Sequence, residues 1–193
     1  DNLLIPPLLG TEQLAVYNVG YKLFEPALII PGVVLAATFP LLSQAGAASA
    51  LRRSRFRALL GQTTLALLGL GAAVALAMWL LAGPVISLLY GSAYSGSVAV
   101  LQALAPACVP MFANYALTHG LIAADRPSLY AIFTLGSLFV NVGANLLLLP
   151  ALGVTGAALA TVLTEVALFA LCGAGMVRHL AAGPPQVEPE AAL

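Results

Sequence analysis

The fold is decided by one stretch of sequence, residues 58–124, which reads ALLGQTTLALLGLGAAVALAMWLLAGPVISLLYGSAYSGSVAVLQALAPACVPMFANYALTHGLIAA. It holds no Asp, Glu, Lys or Arg over about 67 residues, and a second uncharged run, residues 127–164, covers about 38 more. A helix needs ~20 apolar residues to cross the hydrocarbon core of a bilayer. The first run therefore holds about three spans and the second run nearly two. The strict alternation of a β-barrel strand is missing. The sequence therefore predicts an all-α, polytopic bundle of about five transmembrane helices.

The overall composition excludes several classes of function. The 193 residues are 61% hydrophobic and only 7% charged, against ~25% charged in ordinary soluble domains. Seven basic and seven acidic residues cancel, so no basic field exists to hold a nucleic acid. His119 and His179 have no Cys, Asp or Glu at metal-ligand spacing, and no nucleophile–base pair can be assembled. We therefore expect no metal, no cofactor, no catalytic residue and no enzyme activity.

Turn signals divide the apolar sequence into five predicted spans. Gly83-Pro84 is expected to end the second span and Pro150 the fourth, because proline removes a backbone donor. The first 13 residues are interpreted as an outer segment or the end of a preceding span, and residues 181–193, rich in Pro, Glu and Ala, as a disordered cytoplasmic tail. The predicted spans are segment A (14–42), segment B (57–82), segment C (97–124), segment D (128–149) and segment E (154–180).

The basic residues predict an orientation in the membrane. The B–C and D–E loops carry no Lys or Arg, whereas every other connection does. Cytoplasmic loops carry an excess of Lys and Arg, so we expect the basic loops and the C-terminus in the cytoplasm and the N-terminus outside. The residues on the basic side are Arg52, Arg53, Arg55 and Arg57 between A and B, Arg126 between C and D, and Arg178 and His179 at the end of E.

The start of the chain bears on its function. It begins with Asp1 rather than Met, and an odd number of spans that starts outside suggests that at least one span is missing. A fragment of a longer protein, a truncated gene product and a complete small membrane protein all remain open at this point.

Segment D carries a row of polar side chains on one helical face. A polar group in hydrocarbon is costly unless protein or a wet cavity faces it. Two interpretations fit: interhelical hydrogen bonds, worth ~0.6 kcal/mol each, or the wall of a hydrophilic cavity. The row, at steps of 4, 3, 4 and 4, is Tyr130, Thr134, Ser137, Asn141 and Asn145, and its two asparagines are candidates for the substrate pathway.

Segments C and E supply two further candidates. Asn114 belongs to a row at steps of four, which is Gln102, Pro106, Pro110, Asn114 and Thr118. The row predicts either a bent packing helix or a hinge whose freed carbonyls line a cavity. Glu165 lies roughly 16 Å from the outer end of segment E, near the midplane. It is either a functional carboxylate, which includes proton coupling, or a structural one bonded to a neighbouring helix or to Thr161. His119, near the inner end of C, fits a hydrogen-bonded interior histidine better than a proton relay.

Segment A contributes the last two candidates. Lys22 and Glu25 are three residues apart and share one face. They form either a snorkelling pair or a cavity-lining pair in which Lys22 meets an anionic headgroup such as a pyrophosphate.

Several stretches resemble a known transporter family. The strongest is NVGANLLLLPALGVTGAALAT at residues 141–161, which resembles the last two helices of polysaccharide-type flippases of the multidrug/oligosaccharidyl-lipid/polysaccharide exporter superfamily. LLYGSAY at residues 88–94 is similar to an outer loop of that family, with Ala93 where an acidic residue is common. YNVGYKLFE at 17–25 and FPLLS at 39–43 resemble its eighth helix.

The resemblance implies a carrier that flips lipid-linked oligosaccharide (undecaprenyl-pyrophosphate type) by alternating access. It would supply cell-surface polysaccharide such as lipopolysaccharide from the bacterial plasma (inner) membrane. The family has two six-helix lobes, and this chain resembles the C-terminal lobe without its first helix. The implied partners are membrane lipid, lipid-linked oligosaccharide and the missing N-terminal lobe. A cation-coupled multidrug exporter and a membrane scaffold without transport are the alternatives.

Overall fold

The computed structural model describes residues 3–45 and 50–182, and every regular element in those two ranges is a helix. Five stretches there are long and apolar enough to cross a membrane, which confirms the predicted class of a polytopic helical bundle. The predicted tail was residues 181–193: Ala181 is instead the last residue of the final helix, and residues 183–193 lie outside the described part. The main helices are α1 (Ile5–Leu9), α2 (Thr11–Phe24), α3 (Ile29–Ala45), α4 (Ala50–Tyr90), α5 (Gly96–Leu104), α6 (Cys108–Ala123), α7 (Pro127–Leu152) and α8 (Val154–Ala181).

Short 3₁₀ turns join some of these helices into longer spans. Segment A consists of α2 and α3 with the turn Glu25–Leu28 between them, and segment C of α5 and α6 with the turn Ala105–Ala107. Each turn contains a proline, Pro26 or Pro106, whose ring cannot donate the helical hydrogen bond and crowds the preceding turn. The bonding pattern tightens there and then returns to α-helical, so the segment crosses as one interrupted helix.

Two prolines do not act as predicted. The sequence signals ended segment B at Gly83-Pro84 and segment D at Pro150, but α4 continues to Tyr90 and α7 to Leu152. In an apolar solvent a helix that stops leaves several backbone groups without partners, whereas one proline removes a single donor. Continuing the helix therefore costs less than ending it. The Ser87 hydroxyl donates to the backbone carbonyl of Pro84 at 3.0 Å, within the turn that follows the proline.

The arginines between segments A and B also differ from the prediction. Arg52, Arg53, Arg55 and Arg57, expected in a loop, lie in the first turns of α4, which begins at Ala50. Arg53 donates a hydrogen bond to the backbone carbonyl of His179 near the end of α8. This contact holds the start of α4 against the end of α8, at what we name the arginine end of the bundle.

Segment C is the centre of the structure. Of its most apolar stretch 61% is buried inside the protein, compared with 17–22% for the other four spans. The second helix of segment C, α6, packs against α3, α4 and α8. The approach of α4 is close because Gly71 has no side chain: a Cβ there would lie 2.5 Å from the carbonyl oxygen of Cys108. The other spans expose large apolar side chains, such as Leu65 and Leu147, as expected of surfaces that face lipid.

Helices α7 and α8 form a tight hairpin. Gly153, at φ +61°, turns the chain between them, a conformation that a side chain disfavours. Its amide donates to the carbonyl of Leu149 at 2.9 Å, which closes the end of α7. At the other end of α7, Asp125 takes φ 58° in the short connection from α6. The two turns place α6, α7 and α8 side by side.

Candidate functional site

A cavity of about 420 Å³ lies between α2, α6, α7 and α8. Glu165, which lines it, is eleven residues into α8, roughly 16 Å from the Gly153 turn and so near the middle of the span. A volume of this size falls in the range of small-ligand sites. The residues that line the cavity are Tyr21, Phe24, Leu28, Met111, Asn114, Tyr115, Thr118, His119, Tyr130, Thr134, Thr161, Glu165 and Leu168.

Two predicted candidates meet in this cavity. The side-chain amide of Asn114 on α6 donates to the carboxylate oxygen Oε2 of Glu165 on α8 at 2.8 Å and to its backbone carbonyl at 3.0 Å. Asn114 is only 4% exposed, and its Oδ1 atom has no hydrogen-bond partner among the described residues. The amide therefore holds the carboxylate in place and keeps one oxygen acceptor unused beside it.

Thr118, one turn further along α6, is bonded back to its own helix. Its hydroxyl donates to the backbone carbonyl of Asn114 at 2.7 Å. Both residues were predicted to share a row at steps of four, and both line the cavity. The other members differ: Gln102 bonds to the Trp79 carbonyl at 3.1 Å, outside the cavity. The helical row thus contributes to the site only at its end nearer the arginine end.

Aromatic rings form much of the remaining wall. The His119 ring stacks on Tyr115 at 6.1 Å between centroids and meets Phe39 edge-on at 5.6 Å. Its Nδ1 atom lies 2.8 Å from the Tyr115 carbonyl. His119 is thus an interior residue with a hydrogen-bond partner that also lines the cavity. Tyr115 was not among the predicted candidates, although its spacing of four from His119, beside the pair Asn114 and Thr118, indicates a second polar row on α6.

Helix α2 contributes Tyr21 to the cavity wall, a residue that was not among the predicted candidates. The Tyr21 ring stacks on buried Tyr17 at 5.9 Å, and the Tyr17 side chain is hydrogen-bonded to Thr161 of α8. Tyr17, Tyr21 and Glu25 recur at steps of four, and that spacing was the available signal. The charges of Lys22 and Glu25 drew the prediction to those two residues instead of the tyrosines.

The polar row of segment D separates into two parts. Tyr130 and Thr134 line the cavity, whereas Asn141 donates to the Thr164 hydroxyl of α8 at 3.0 Å. Asn145 bonds back to the Asn141 carbonyl at 3.0 Å. Both earlier interpretations of this row therefore apply, each to a different stretch. The candidates Asn141 and Asn145 lie outside the cavity, in a contact that we name the α7–α8 seam: Asn141, Asn145, Gly156, Ala160 and Thr164.

The charged pair of segment A is not in the cavity. Lys22 and Glu25 are both exposed, and neither is among the residues that line it. Lys22 is, however, adjacent in sequence to Tyr21, which lines the cavity. The structure thus brings together two of the six candidates, Asn114 and Glu165, and leaves Lys22, Glu25, Asn141 and Asn145 elsewhere.

The chemistry of the cavity follows from these groups. Among the described residues, Glu165 is its one carboxyl group, no Lys or Arg lines it, and amide, hydroxyl and ring groups supply the other polar surface. Such a wall accepts hydrogen bonds from neutral polar groups and attracts cations to the carboxyl group and the ring faces. A phosphate placed inside would find no basic side chain to pair with. No group of three His, Cys, Asp or Glu side chains that could hold a metal ion occurs within residues 3–45 and 50–182.

Comparison with known proteins identifies the family. The family model described as MatE matches residues 1–147, most of the 193-residue chain. No curated protein and no solved structure gives a significant match. MatE proteins are membrane transporters, not enzymes, and the match does not separate polysaccharide flippases from multidrug exporters. The chain therefore belongs to the MatE family of membrane transporters, within the multidrug/oligosaccharidyl-lipid/polysaccharide exporter superfamily.

Proposed function

We propose that this chain takes part in flipping lipid-linked oligosaccharide, of the undecaprenyl-pyrophosphate type, across the bacterial plasma membrane for cell-surface polysaccharide synthesis. The observation that carries the proposal is the lining of the cavity: three tyrosines, a histidine, three threonines, one amide and one carboxyl group, with no Lys or Arg among the described residues. Neutral sugars present both hydroxyl groups and apolar ring faces. A wall that combines hydrogen-bonding groups with amphipathic aromatic rings suits them.

The charges divide the cargo between two places. The sugar part fits the cavity, where Glu165 and the hydroxyl groups of the wall can accept hydrogen bonds from its hydroxyls. The pyrophosphate belongs outside, because no basic side chain among the described residues lines the cavity to pair with it. Lys22 lies exposed beside the cavity-lining Tyr21, where its ammonium group can contact a phosphate through charge-assisted hydrogen bonds. In this proposal the basic loops and the C-terminus face the cytoplasm, as the positive-inside rule predicts.

A second candidate function is cation-coupled export of drugs. It is favoured by the same carboxylate, since Glu165 with the rings of Tyr21, Tyr115 and Tyr130 around it can attract a cationic or protonated ligand. The two functions differ in the cargo and in the need for Lys22.

The test is the variant Lys22→Ala in the natural protein expressed from its full gene, in a strain that lacks the chromosomal copy. We expect surface polysaccharide to fall about tenfold or more, the effect of losing one charged hydrogen bond to the cargo. Lys22→Arg keeps the charge and is expected to retain most of the output. Polymer is measured per amount of membrane-inserted protein.

Two outcomes would overturn the flippase proposal. The first is normal polysaccharide from Lys22→Ala at an unchanged membrane level. The second is that the natural protein lowers cellular accumulation of a cationic dye, that Glu165→Gln abolishes this effect, and that deletion of the gene leaves polysaccharide unchanged. The second outcome would establish the drug exporter instead.

A further inference from the structure

The arginine end of the bundle gathers positive charge from three elements. Arg53 of α4 bonds to the His179 carbonyl of α8, and the charges of both Arg53 and Arg126 act on the His179 ring. Arg126 is exposed in the turn before α7, and Arg178 is exposed one residue before His179. We name Arg53, Arg126, Arg178 and His179 the basic cluster. Its members come from α4, from the turn before α7 and from α8.

Local electrostatics disfavour the arginines at the two helix starts, whereas Arg178 and His179 lie in the last turn of α8, at the favourable negative end of its dipole. Both α4 and α7 begin here, and neither carries an acidic residue in its first turn. Helix starts are positive ends of the helix dipole, where arginines are destabilising. Arg53 and Arg57 are also like charges four residues apart on one helix face. The counter-charge at this end, among the described residues, is the exposed Asp125.

The depth of the cluster in the membrane indicates which kind of anion would neutralise it. Three apolar spans, those of α4, α7 and α8, begin or end within a few residues of it, so it lies at the boundary between hydrocarbon and water. Phosphate groups of lipids occupy that level, and basic pockets between transmembrane helices bind anionic headgroups. The planar guanidinium groups of arginine match phosphate oxygens in pairs.

We propose that the basic cluster is a binding site for the phosphodiester headgroup of an anionic phospholipid. The lipid bridges α4, α7 and α8, with its phosphate between Arg53 and Arg126 and its acyl chains along the exposed apolar faces below. This site is separate from the cavity and does not depend on which cargo the transporter carries.

The test measures lipid binding to the full natural protein purified in a neutral detergent. Native mass spectrometry compares bound phosphatidylglycerol with bound phosphatidylethanolamine, in the presence and absence of inorganic phosphate. We expect retained phosphatidylglycerol, weak phosphatidylethanolamine, and no displacement by inorganic phosphate, because the acyl chains contribute to lipid affinity. Arg126→Gln is expected to weaken phosphatidylglycerol binding about fivefold, the contribution of one basic residue near an anionic surface.

The matched control is Arg55→Gln, which removes the same charge. Arg55 is exposed and follows Arg53 by two residues, about 200° around the helix, so it points away from α8. Its loss should leave the affinity within the error of the measurement. Arg53→Lys provides a second test that keeps the charge but loses the planar fork. Equal weakening by Arg126→Gln and Arg55→Gln, no preference for the anionic lipid, or displacement by inorganic phosphate would overturn the proposal.

Discussion

Two neighbouring residues of α8, Thr164 and Glu165, belong to different environments. Thr164 accepts a hydrogen bond from Asn141 in the α7–α8 seam, whereas Glu165 faces the cavity and the amide of Asn114. The helices approach closely in the seam, since a Cβ on Gly156 would lie 2.2 Å from the Leu148 carbonyl oxygen. At the cavity, the rings of Tyr115 and Tyr130 bound an open volume instead.

The difference shows that polar side chains serve two purposes in a membrane protein. In the seam, small residues let the backbones approach, and Asn141 finds a partner across the interface in Thr164. Around the cavity, bulky rings keep the helices apart, so polar groups face a space that a ligand can fill. The comparison predicts that changes in the seam alter stability and that changes at the cavity alter transport.

The largest effect is expected from Gly156→Ala. A single methyl group there would overlap the backbone of α7, and relief requires the two helices to separate. We expect a loss of about 3 kcal/mol of stability, measured as a large drop in the melting temperature of the detergent-solubilised protein. Gly143→Ala on α7 is the matched control, because nothing lies within 4 Å of a Cβ at that position. Equal melting temperatures for both variants would contradict the close packing of the seam.

Glu165→Gln tests the cavity. The variant keeps the shape of the side chain but removes the charge that the Asn114 amide contacts. We expect transport to fall about tenfold, as for loss of one charged hydrogen bond, with membrane abundance unchanged. Thr164→Val, one residue away in the seam, should retain transport at a small cost in melting temperature. If both variants lost transport equally, the separation of seam and cavity would be wrong.

The smallest effect is expected from Asn141→Ala. It removes one interhelical hydrogen bond, worth ~0.6 kcal/mol in a membrane, so the melting temperature should fall slightly while transport persists. Asn114→Ala removes an equally polar side chain from the cavity wall and should reduce transport, since Glu165 loses its donor. A transport defect in Asn141→Ala as large as that of Asn114→Ala would place the seam in the transport pathway.

Sequence reasoning worked best where the solvent alone decides the outcome. The uncharged runs required membrane helices whatever their packing, and Glu165 and Asn114 stood out because polar groups in hydrocarbon need partners. It failed at Pro84 and Pro150, since in water such signals end helices, whereas in lipid the unpaired backbone groups cost more than the proline. Tyr21 and Tyr115 escaped notice because tyrosine is unremarkable in a membrane helix until its neighbours are known.

The amino-acid sequence by itself determined that lipid surrounds most of this chain, that five of the described stretches are long and apolar enough to cross it, and that the arginines gather at one end. Those properties depend on transfer free energies summed along a segment, which do not require knowledge of neighbouring helices. Only the tertiary structure decided that Asn114 meets Glu165, that Asn141 meets Thr164, and that Lys22 stays outside the cavity. Helical spacing fixes the face on which a side chain lies, but the bulk of the residues opposite decides whether that face packs closely or borders a cavity.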